Sequence, residues 1–314
     1  MNIDTGLFAD VADALGIDSP AIVEKDVYAV QLLGYLSTLD SPQFELVFAG
    51  GTSLAKAHCS IYRMSEDIDI KLVGREEAVA GMSRSALKAG RKALLANIEA
   101  LVSKSEMFQL DANPTKRNEY RYAEYAIRYP RSQTSITALR PGLKLDITAS
   151  ALLEPAVRTS ISSLYADVLQ LPPEIKSFPT VSLNSTIVEK LVALLRRTAQ
   201  VDRDRSRKDD ETLVRHVYDL HTVTALGYDP RALGRLIDAV IQKDSDQFGR
   251  QHPEFRQDPA AELHHGLVCL CTDSIHRSRY ERFIGPLIYH ESPASWDEAL
   301  SAVARLARQL LGSS

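Results

Sequence analysis

Alternating apolar and polar side chains predict short β-strands in the first half of the chain. Where every second residue is apolar, a strand can bury one face and leave the other to solvent or to a site. Strands are predicted at 44–48, 67–72, 120–129 and 143–148. Apolar residues at helical spacing lie between them. Helices are predicted at 21–36, 52–58 and 75–104.

The pattern changes near residue 183, and beyond it the apolar spacing is mostly helical. Helices are predicted at 184–198, 213–226, 231–242, 260–271 and 294–311. The chain is therefore predicted to have an α+β fold. A core with a mixed sheet, residues 1–182, would be followed by an α-helical domain, residues 183–314.

Composition narrows the class of protein but does not give the function. The 314 residues are 45% hydrophobic and 25% charged, as in ordinary globular proteins, and the net charge is −4. The three cysteines form no metal-binding array, which is typical of a reducing compartment. Neither a signal peptide nor an apolar run long enough to cross a membrane is recognised, so we expect a cytoplasmic protein.

Polar residues on two of the predicted strands indicate metal chemistry. Asp67 and Asp69 are two residues apart and therefore share one face of their strand. Lys144, Asp146 and Thr148 likewise share a face, and pairing of the two strands would bring Asp146 next to the other carboxylates. Adjacent carboxylates repel one another unless a cation lies between them, and their oxygens suit Mg²⁺ or Mn²⁺. Whether Asp146 is a metal ligand or a general base remains open at this point.

A glycine pair, Gly50 and Gly51, shortly precedes these carboxylates and is followed by Thr52 and Ser53. Glycine allows a backbone to approach phosphate oxygens closely. Carboxylates that hold two divalent ions can promote in-line transfer of a phosphoryl or nucleotidyl group. The combination predicts a site that handles a nucleoside triphosphate.

These motifs, in their order along the chain, resemble those of the AbiEii/AbiGii nucleotidyltransferase toxins, which belong to the polymerase-β-like nucleotidyltransferase superfamily. A lysine followed by basic residues on a helix resembles the third motif of the family, and an aspartate on a later helix resembles the fourth. The matching segments are 24–26, 50–53 with 63–69, 144–148, 189–197 and 218–221.

The resemblance implies a toxin of a toxin–antitoxin or phage-abortive system that transfers NMP from an NTP to RNA. Members of the family modify the acceptor end of tRNA and block translation, so a tRNA 3′ end is the expected acceptor. A separately encoded protein antitoxin is the expected partner. The resemblance implies a catalytic centre of Asp67, Asp69, Asp146 and Lys144, and nucleotide binding by Gly51, Thr52, Ser53, Lys190, Arg197 and Asp219.

Two other functions remain compatible with the sequence. The same chemistry could modify a protein or a small-molecule hydroxyl, or the chain could bind a nucleotide as a sensor without transferring it. Three metal-directed carboxylates disfavour the sensor, because nucleotide binding alone does not need them. Basic residues and tyrosines alternate at 116–131, which fits either an RNA surface or a sheet stabilised by aromatic pairs.

Two further side-chain groups are interpreted as structural. Lys56 is expected on a helix surface, because the order of a phosphate-binding loop is absent around it. His264 and His265 precede Cys269 and Cys271 on a predicted helix. The Cys-x-Cys spacing separates the two thiols around the helix axis, so a packed helix is expected there rather than a metal site.

Overall fold

The computed structural model describes residues 3–134, 136–137, 139–207 and 209–312. The chain divides into two compact units, Met1–Val181 and Ser182–Ser314. The described β-strands all belong to the first unit, and the described secondary structure of the second is helical. None of the described helices combines the length and the apolar character that crossing a bilayer requires.

A mixed sheet is the framework of the first unit. Its described strands are β1 (Phe44–Ala49), β2 (Asp67–Gly74), β3 (Gln109–Leu110), β4 (Thr115–Arg117), β5 (Tyr122–Arg128), β6 (Leu143–Ala149), β7 (Val157–Ile161) and β8 (Ile175–Thr180). Their order is β3-β5-β6-β2-β1-β8-β7, and β4 pairs with β5. Strand β2 is antiparallel to β1 and parallel to β6.

The alternating pattern of β2 and β6 produces a sheet with one apolar and one polar face. Along β2, Ile68 and Ile70 are buried, whereas Asp67 and Asp69 on the other face are half-buried. Strand β6 repeats this alternation. The two strands do pair, which is the condition under which Asp146 was expected to join the other carboxylates; they run in parallel, with Asp69 opposite Asp146 in register.

Helices cover the apolar face of this sheet. The helices of the first unit are α1 (Phe8–Ala14), α2 (Pro20–Ser37), α3 (Gly50–Ser53), which continues into a π-helical turn (Leu54–His58), α4 (Glu76–Val79), α5 (Arg84–Lys104) and α6 (Leu164–Val168). Apolar residues of α2 and α5 share one core cluster with β1, β2, β5 and β6. Burial of each such side chain contributes about 1.5–3 kcal/mol.

The long helix predicted at 75–104 is instead two helices. Gly81 has a φ of +74°, in the left-handed region that glycine adopts without strain, and it separates α4 from α5. The Ser83 hydroxyl then accepts a hydrogen bond from the Ala86 amide and caps α5.

The second unit is a helical assembly centred on its first helix. Its α-helices are α7 (Leu183–Arg203), α8 (Arg215–Ala225), α9 (Pro230–Phe248), α10 (Pro253–Gln257), α11 (Pro259–Thr272), α12 (Ser274–Leu287) and α13 (Trp296–Leu311). Helix α7 packs against α8, α9 and α11. A Cβ atom at Gly266 would lie 2.1 Å from the Leu195 carbonyl oxygen, so glycine allows α11 to approach α7 closely.

Candidate active site

Three aspartates on neighbouring strands form the polar centre of the first unit. Asp67 and Asp69 lie on β2, and Asp146 lies on β6 directly opposite Asp69. Two cations accompany them. Arg140 donates a hydrogen bond from its guanidinium to Asp67 Oδ1, and Lys144 Nζ lies 2.8 Å from Asp146 Oδ2.

Burial shifts the pKa values of the charged groups in this cluster. Burial raises the pKa of Asp146, and the Lys144 ammonium only partly offsets the effect. Burial disfavours the charged form of Lys144, but its hydrogen bond to Asp146 and the charges of Asp146, Asp67 and Glu124 together outweigh burial and raise the pKa of Lys144 above its usual value. The two charges therefore stabilise each other in a partly desolvated position.

A third strand adds polar groups that the sequence did not indicate. Glu124 on β5 lies opposite Asp146 in register, and its carboxylate is 3.3 Å from Lys144 Nζ. The Tyr122 hydroxyl donates to Glu124 at 2.8 Å, which lowers the pKa of that carboxyl group. Glu124 and Tyr122 thus extend the polar face across β5.

Gly50 brings the chain into direct proximity with one of the aspartates. Its φ is +77°, and a Cβ atom at this position would lie 1.9 Å from Asp69 Oδ2. A side chain is therefore excluded both by backbone conformation and by space. At Gly51, a Cβ atom would lie 2.7 Å from the guanidinium of Arg63.

The hydroxyl groups of the two residues after the glycines form hydrogen bonds within the protein. The Thr52 hydroxyl contacts Ser65 Oγ at 2.8 Å and the carbonyl oxygen of Asp67, and Ser53 Oγ donates to the Gly50 carbonyl at 3.0 Å. Both side chains are buried. Thr52 therefore links the turn at Gly50 and Gly51, the glycine turn, to the start of β2.

Three consecutive charged residues of α2 are buried behind this site. Glu24 accepts hydrogen bonds from the amide and the hydroxyl of Ser132, both at 2.6 Å. Asp26 accepts from the Leu164 amide at 2.6 Å and pairs with Lys56. The expectation that Lys56 lies on a helix surface was wrong, because its side chain is only 9% exposed in this ion pair.

The central residue of the triplet fixes the backbone around Arg140. Lys25 Nζ donates to Glu66 Oε1 at 2.5 Å and to the Arg140 carbonyl at 2.9 Å. The same Glu66 oxygen accepts the Arg140 amide at 2.7 Å. Burial lowers the pKa of Lys25, although Glu66 opposes that shift. Lys25 and Glu66 thus hold both backbone polar groups of the residue whose side chain binds Asp67.

The tyrosines of β5 and its flanks are mainly structural. Tyr125 is 1% exposed, and its hydroxyl donates to Glu99 at 2.7 Å. Tyr129 stacks on Tyr28 with ring centroids 4.7 Å apart. The buried Tyr125 has no face left for an RNA base, and Tyr129 forms an aromatic pair as the structural interpretation expected.

In the second unit, two of the residues implicated by the resemblance contact each other. Lys190 Nζ on α7 donates to Asp219 Oδ2 on α8 at 2.9 Å, and the Asp219 side chain is fully buried. The His216 ring lies 3.3 Å from the Lys190 carbonyl oxygen. Asp219 therefore positions the Lys190 ammonium.

Arg197 lies two turns further along α7. Its guanidinium donates to Asp210 Oδ2 at 2.7 Å. Burial opposes the charged form of Asp210, but hydrogen bonds from Thr212 and the charge of Arg197 lower its pKa to about 2. Arg197 lines a cavity of about 650 Å³ within the second unit.

The order of the glycine turn, the carboxylate strands and the later helices has a counterpart among known proteins. A family model described as "Nucleotidyl transferase AbiEii toxin, Type IV TA system" matches residues 36–302. The chain belongs to this family. It is therefore a nucleotidyltransferase toxin of a type IV toxin–antitoxin system, for which the family implies an NTP substrate and an antitoxin partner.

The solved structure of another nucleotidyltransferase toxin agrees on the fold. MenT4, a nucleotidyltransferase toxin from Mycobacterium tuberculosis, is 20% identical, with a TM-score of 0.64 over 100% of this chain and 91% of that chain. A STING-associated CdnE c-di-GMP synthase from Capnocytophaga granulosa is 12% identical, with a TM-score of 0.27 over 96% of this chain and 83% of that chain. The search of curated proteins gives no match.

Nucleotidyltransferases of this kind typically use a divalent metal, and the donor set here fits one chemically. Asp67, Asp69 and Asp146 offer only hard oxygen ligands, on two adjacent strands. Arg140 and Lys144 engage two of the three carboxylates. A divalent cation would compete with these two side chains for the same oxygens.

Proposed function

We propose that this toxin transfers NMP from an NTP to the 3′ acceptor end of tRNA in a Mg²⁺-dependent reaction in the cytoplasm. Translation would stop because the modified tRNA no longer accepts an amino acid. The toxin would act in a toxin–antitoxin or phage-abortive setting. The observation that carries the proposal is the register of β2 and β6, which sets Asp146 beside Asp69.

The proposed reaction is an in-line displacement at the α-phosphorus. A hydroxyl oxygen of the acceptor forms a bond to phosphorus, the bond to the β-phosphate breaks, and pyrophosphate leaves. A divalent ion held by Asp67, Asp69 and Asp146 would neutralise the charge of the triphosphate and of the leaving group.

The first unit's side chains would contribute in three ways. Asp146 would serve either as a metal ligand or as a base that accepts the hydroxyl proton, and its raised pKa favours proton uptake. Lys144 and Arg140 carry positive charge at the carboxylates and would compensate the charge of the phosphates. The close approach of Gly50 to Asp69 fixes the glycine turn, including Gly51, beside this centre.

The roles of the remaining residues follow from the resemblance. We infer that Lys190 and Arg197 bind the nucleotide phosphates and that Asp219 orients Lys190, as their hydrogen bond suggests. Thr52 and Ser53 would support the nucleotide through the shape of the turn, because their hydroxyls are bonded internally.

The test is to incubate the protein with Mg²⁺, each α-labelled NTP, and either total tRNA or total protein. Label in a tRNA band that is lost when the 3′ end is blocked supports the proposal. Label in protein or in a small molecule would mean that the same reaction uses an acceptor other than tRNA. NTP binding without label in any acceptor would identify a sensor and overturn the proposal.

The site assignment has its own control. Asp67→Ala and Asp146→Ala should abolish transfer with unchanged circular dichroism. Asp111→Asn removes the charge of an exposed acid that pairs with Arg128 at the sheet edge, and it should keep full activity. Retained activity in either of the first two variants would contradict the assignment.

A further inference from the structure

Helices α7 and α11 bring three metal-ligating side chains together in the second unit. His265 Nε2 lies 3.0 Å from Asp202 Oδ2 and 3.5 Å from Cys269 Sγ. The three ligand atoms all lie within 4.8 Å of one another. His265 and Cys269 are four residues apart on α11 and therefore share a helix face, while Asp202 comes from α7.

The ligand atoms of this cluster converge around one nitrogen of His265. One ring nitrogen of His265 faces both a carboxylate oxygen and a sulfur atom. Without a metal, the Asp202 carboxylate accepts hydrogen bonds from both the imidazole and the thiol. The three ligand atoms converge on one point, where a cation would replace these two protons and bind the same three atoms.

The distances are compatible with a tetrahedral zinc site. In tetrahedral zinc sites the Zn–N and Zn–S bonds of about 2.0 and 2.3 Å place nitrogen and sulfur about 3.5 Å apart, and nitrogen and oxygen about 3.3 Å apart. The separations around His265 are close to both values. A thiolate, an imidazole and a carboxylate together favour Zn²⁺ over Mg²⁺.

The surroundings of the cluster leave one coordination position accessible. Asp202 and Cys269 line the cavity of about 650 Å³ that also contains Arg197. Arg205 binds the other oxygen of the Asp202 carboxylate at 3.2 Å, which orients Oδ2 toward His265. A metal held by three protein ligands would therefore face the cavity with its fourth position.

We propose that Asp202, His265 and Cys269 form a Zn²⁺ site that links α7 to α11, with its open position toward the cavity. The site belongs to the second unit and is distinct from the carboxylate centre of the first. The relevant pair on α11 is His265 and Cys269, whereas the Cys-x-Cys spacing considered from the sequence includes Cys271, which is exposed.

Titration of the reduced full-length protein with Co²⁺ as the probe tests the proposal. We expect a thiolate-to-cobalt absorption in the near ultraviolet and visible bands of four-coordinate cobalt, saturating at one equivalent and displaced by Zn²⁺. Cys269→Ser should abolish the thiolate band, and His265→Gln should weaken Co²⁺ binding at least tenfold. The matched controls Cys271→Ser and His264→Gln change the same residue types on the same helix and should bind as the wild type does.

A second measurement does not depend on variants. Zn²⁺ should slow alkylation of Cys269 by iodoacetamide, read peptide by peptide by mass spectrometry, and should leave Cys271 unprotected. The absence of a saturable thiolate band in the wild type would overturn the proposal. Equal loss of that band in the Cys269→Ser and Cys271→Ser variants, or equal protection of both thiols, would also overturn it.

Discussion

Gly50 and Asp69 are so close that no side chain fits between them. A Cβ atom on Gly50 would lie 1.9 Å from Asp69 Oδ2 and 2.6 Å from its Cγ. The glycine turn and β2 are therefore in direct contact. The position of Asp69 depends on the absence of a side chain at residue 50.

This contact predicts the effect of Gly50→Ala. The methyl group must displace the Asp69 carboxylate, and a displacement of about 1 Å at a reacting centre costs on the order of 10²-fold in rate. The left-handed backbone adds about 1–2 kcal/mol of destabilisation. Initial rates of NMP transfer and denaturant unfolding would measure the two effects separately.

Gly81→Ala is the matched control for that variant. Gly81 has a φ of +74°, close to that of Gly50, but a Cβ atom there meets nothing within 4 Å. It should show the same backbone cost and near wild-type transfer. Equal activity in both variants would disprove the steric explanation.

A second prediction concerns Lys25, which lies behind the site. Lys25→Met leaves Glu66 buried with its ammonium partner removed, and breaking such a pair typically costs 3–5 kcal/mol. Transfer should also fall, because the backbone of Arg140 loses a hydrogen bond that positions its side chain on Asp67. Urea unfolding and initial rates are the measurements.

The double variant Lys25→Met/Glu66→Leu separates stability from positioning. It removes the unpaired acid as well, so it should recover much of the lost stability without recovering activity. Lys88→Met on the exposed face of α5 is the control and should alter stability by no more than about 0.5 kcal/mol. Full recovery of transfer in the double variant would contradict the positioning role.

The sequence predicted β2 and β6 because their signal is local. Along each strand, buried and partly exposed side chains alternate, so the strand can be predicted from its own residues without knowledge of the neighbouring strands. Strand β7 gave no such signal, since of its five residues only Ile161 is buried. Strand β8 contains Pro179, a residue that is disfavoured inside strands because it lacks an N–H donor.

The supporting residues of the site were harder to predict, because their partners are far away in the chain. Lys25 and Glu66 are 41 residues apart, and Arg140 and Asp67 are 73 residues apart. Nothing in the segment around Arg140 indicates that it binds Asp67. The consecutive charges of 24–26 on an otherwise apolar helix were the available signal, since buried charges need partners.

A third prediction concerns the buried pair of the second unit. Asp219→Ala leaves the Lys190 ammonium without its partner at a largely buried position, so we expect a loss of about 3–5 kcal/mol. Asp219→Asn keeps a hydrogen-bond acceptor and should cost less. Chemical denaturation followed by tryptophan fluorescence would report it, because Trp296, the single tryptophan, lies in this unit.

The control for the buried pair is an exposed pair of the same unit. Arg277 pairs with Asp297 on the surface, and Arg277→Ala should leave the unfolding midpoint almost unchanged. Similar losses in Asp219→Ala and Arg277→Ala would mean that burial does not determine the strength of the Lys190–Asp219 interaction.

The last prediction is a pH dependence that arises at His252. This side chain is 1% exposed and stacks on Phe255, and its Nε2 lies 2.8 Å from Glu262 Oε1. In the described part of the chain its buried Nδ1 has no hydrogen-bond partner. Protonation would place a second N–H at that position without an acceptor. Burial accordingly lowers the pKa of His252, although Glu262 opposes the shift.

The direction of the effect follows from proton linkage. Below the unfolded pKa of about 6.5, the unfolded chain binds a proton at His252 that the folded chain does not, so stability decreases as the pH falls. The slope is at most about 1.4 kcal/mol per pH unit for one proton. Burial also lowers the pKa of His58, His216, His221 and His276.

His252→Gln should therefore reduce the slope of unfolding free energy between pH 6.5 and 5 without removing it, because the other histidines still contribute. Glutamine keeps an N–H donor for Glu262 but cannot take up a proton in this range. Urea unfolding at half-unit pH steps measures the slope for the wild type and the variant. Equal slopes would show that His252 is protonated equally in the folded and unfolded states, and the burial of its ring would then have no energetic consequence for the pH dependence.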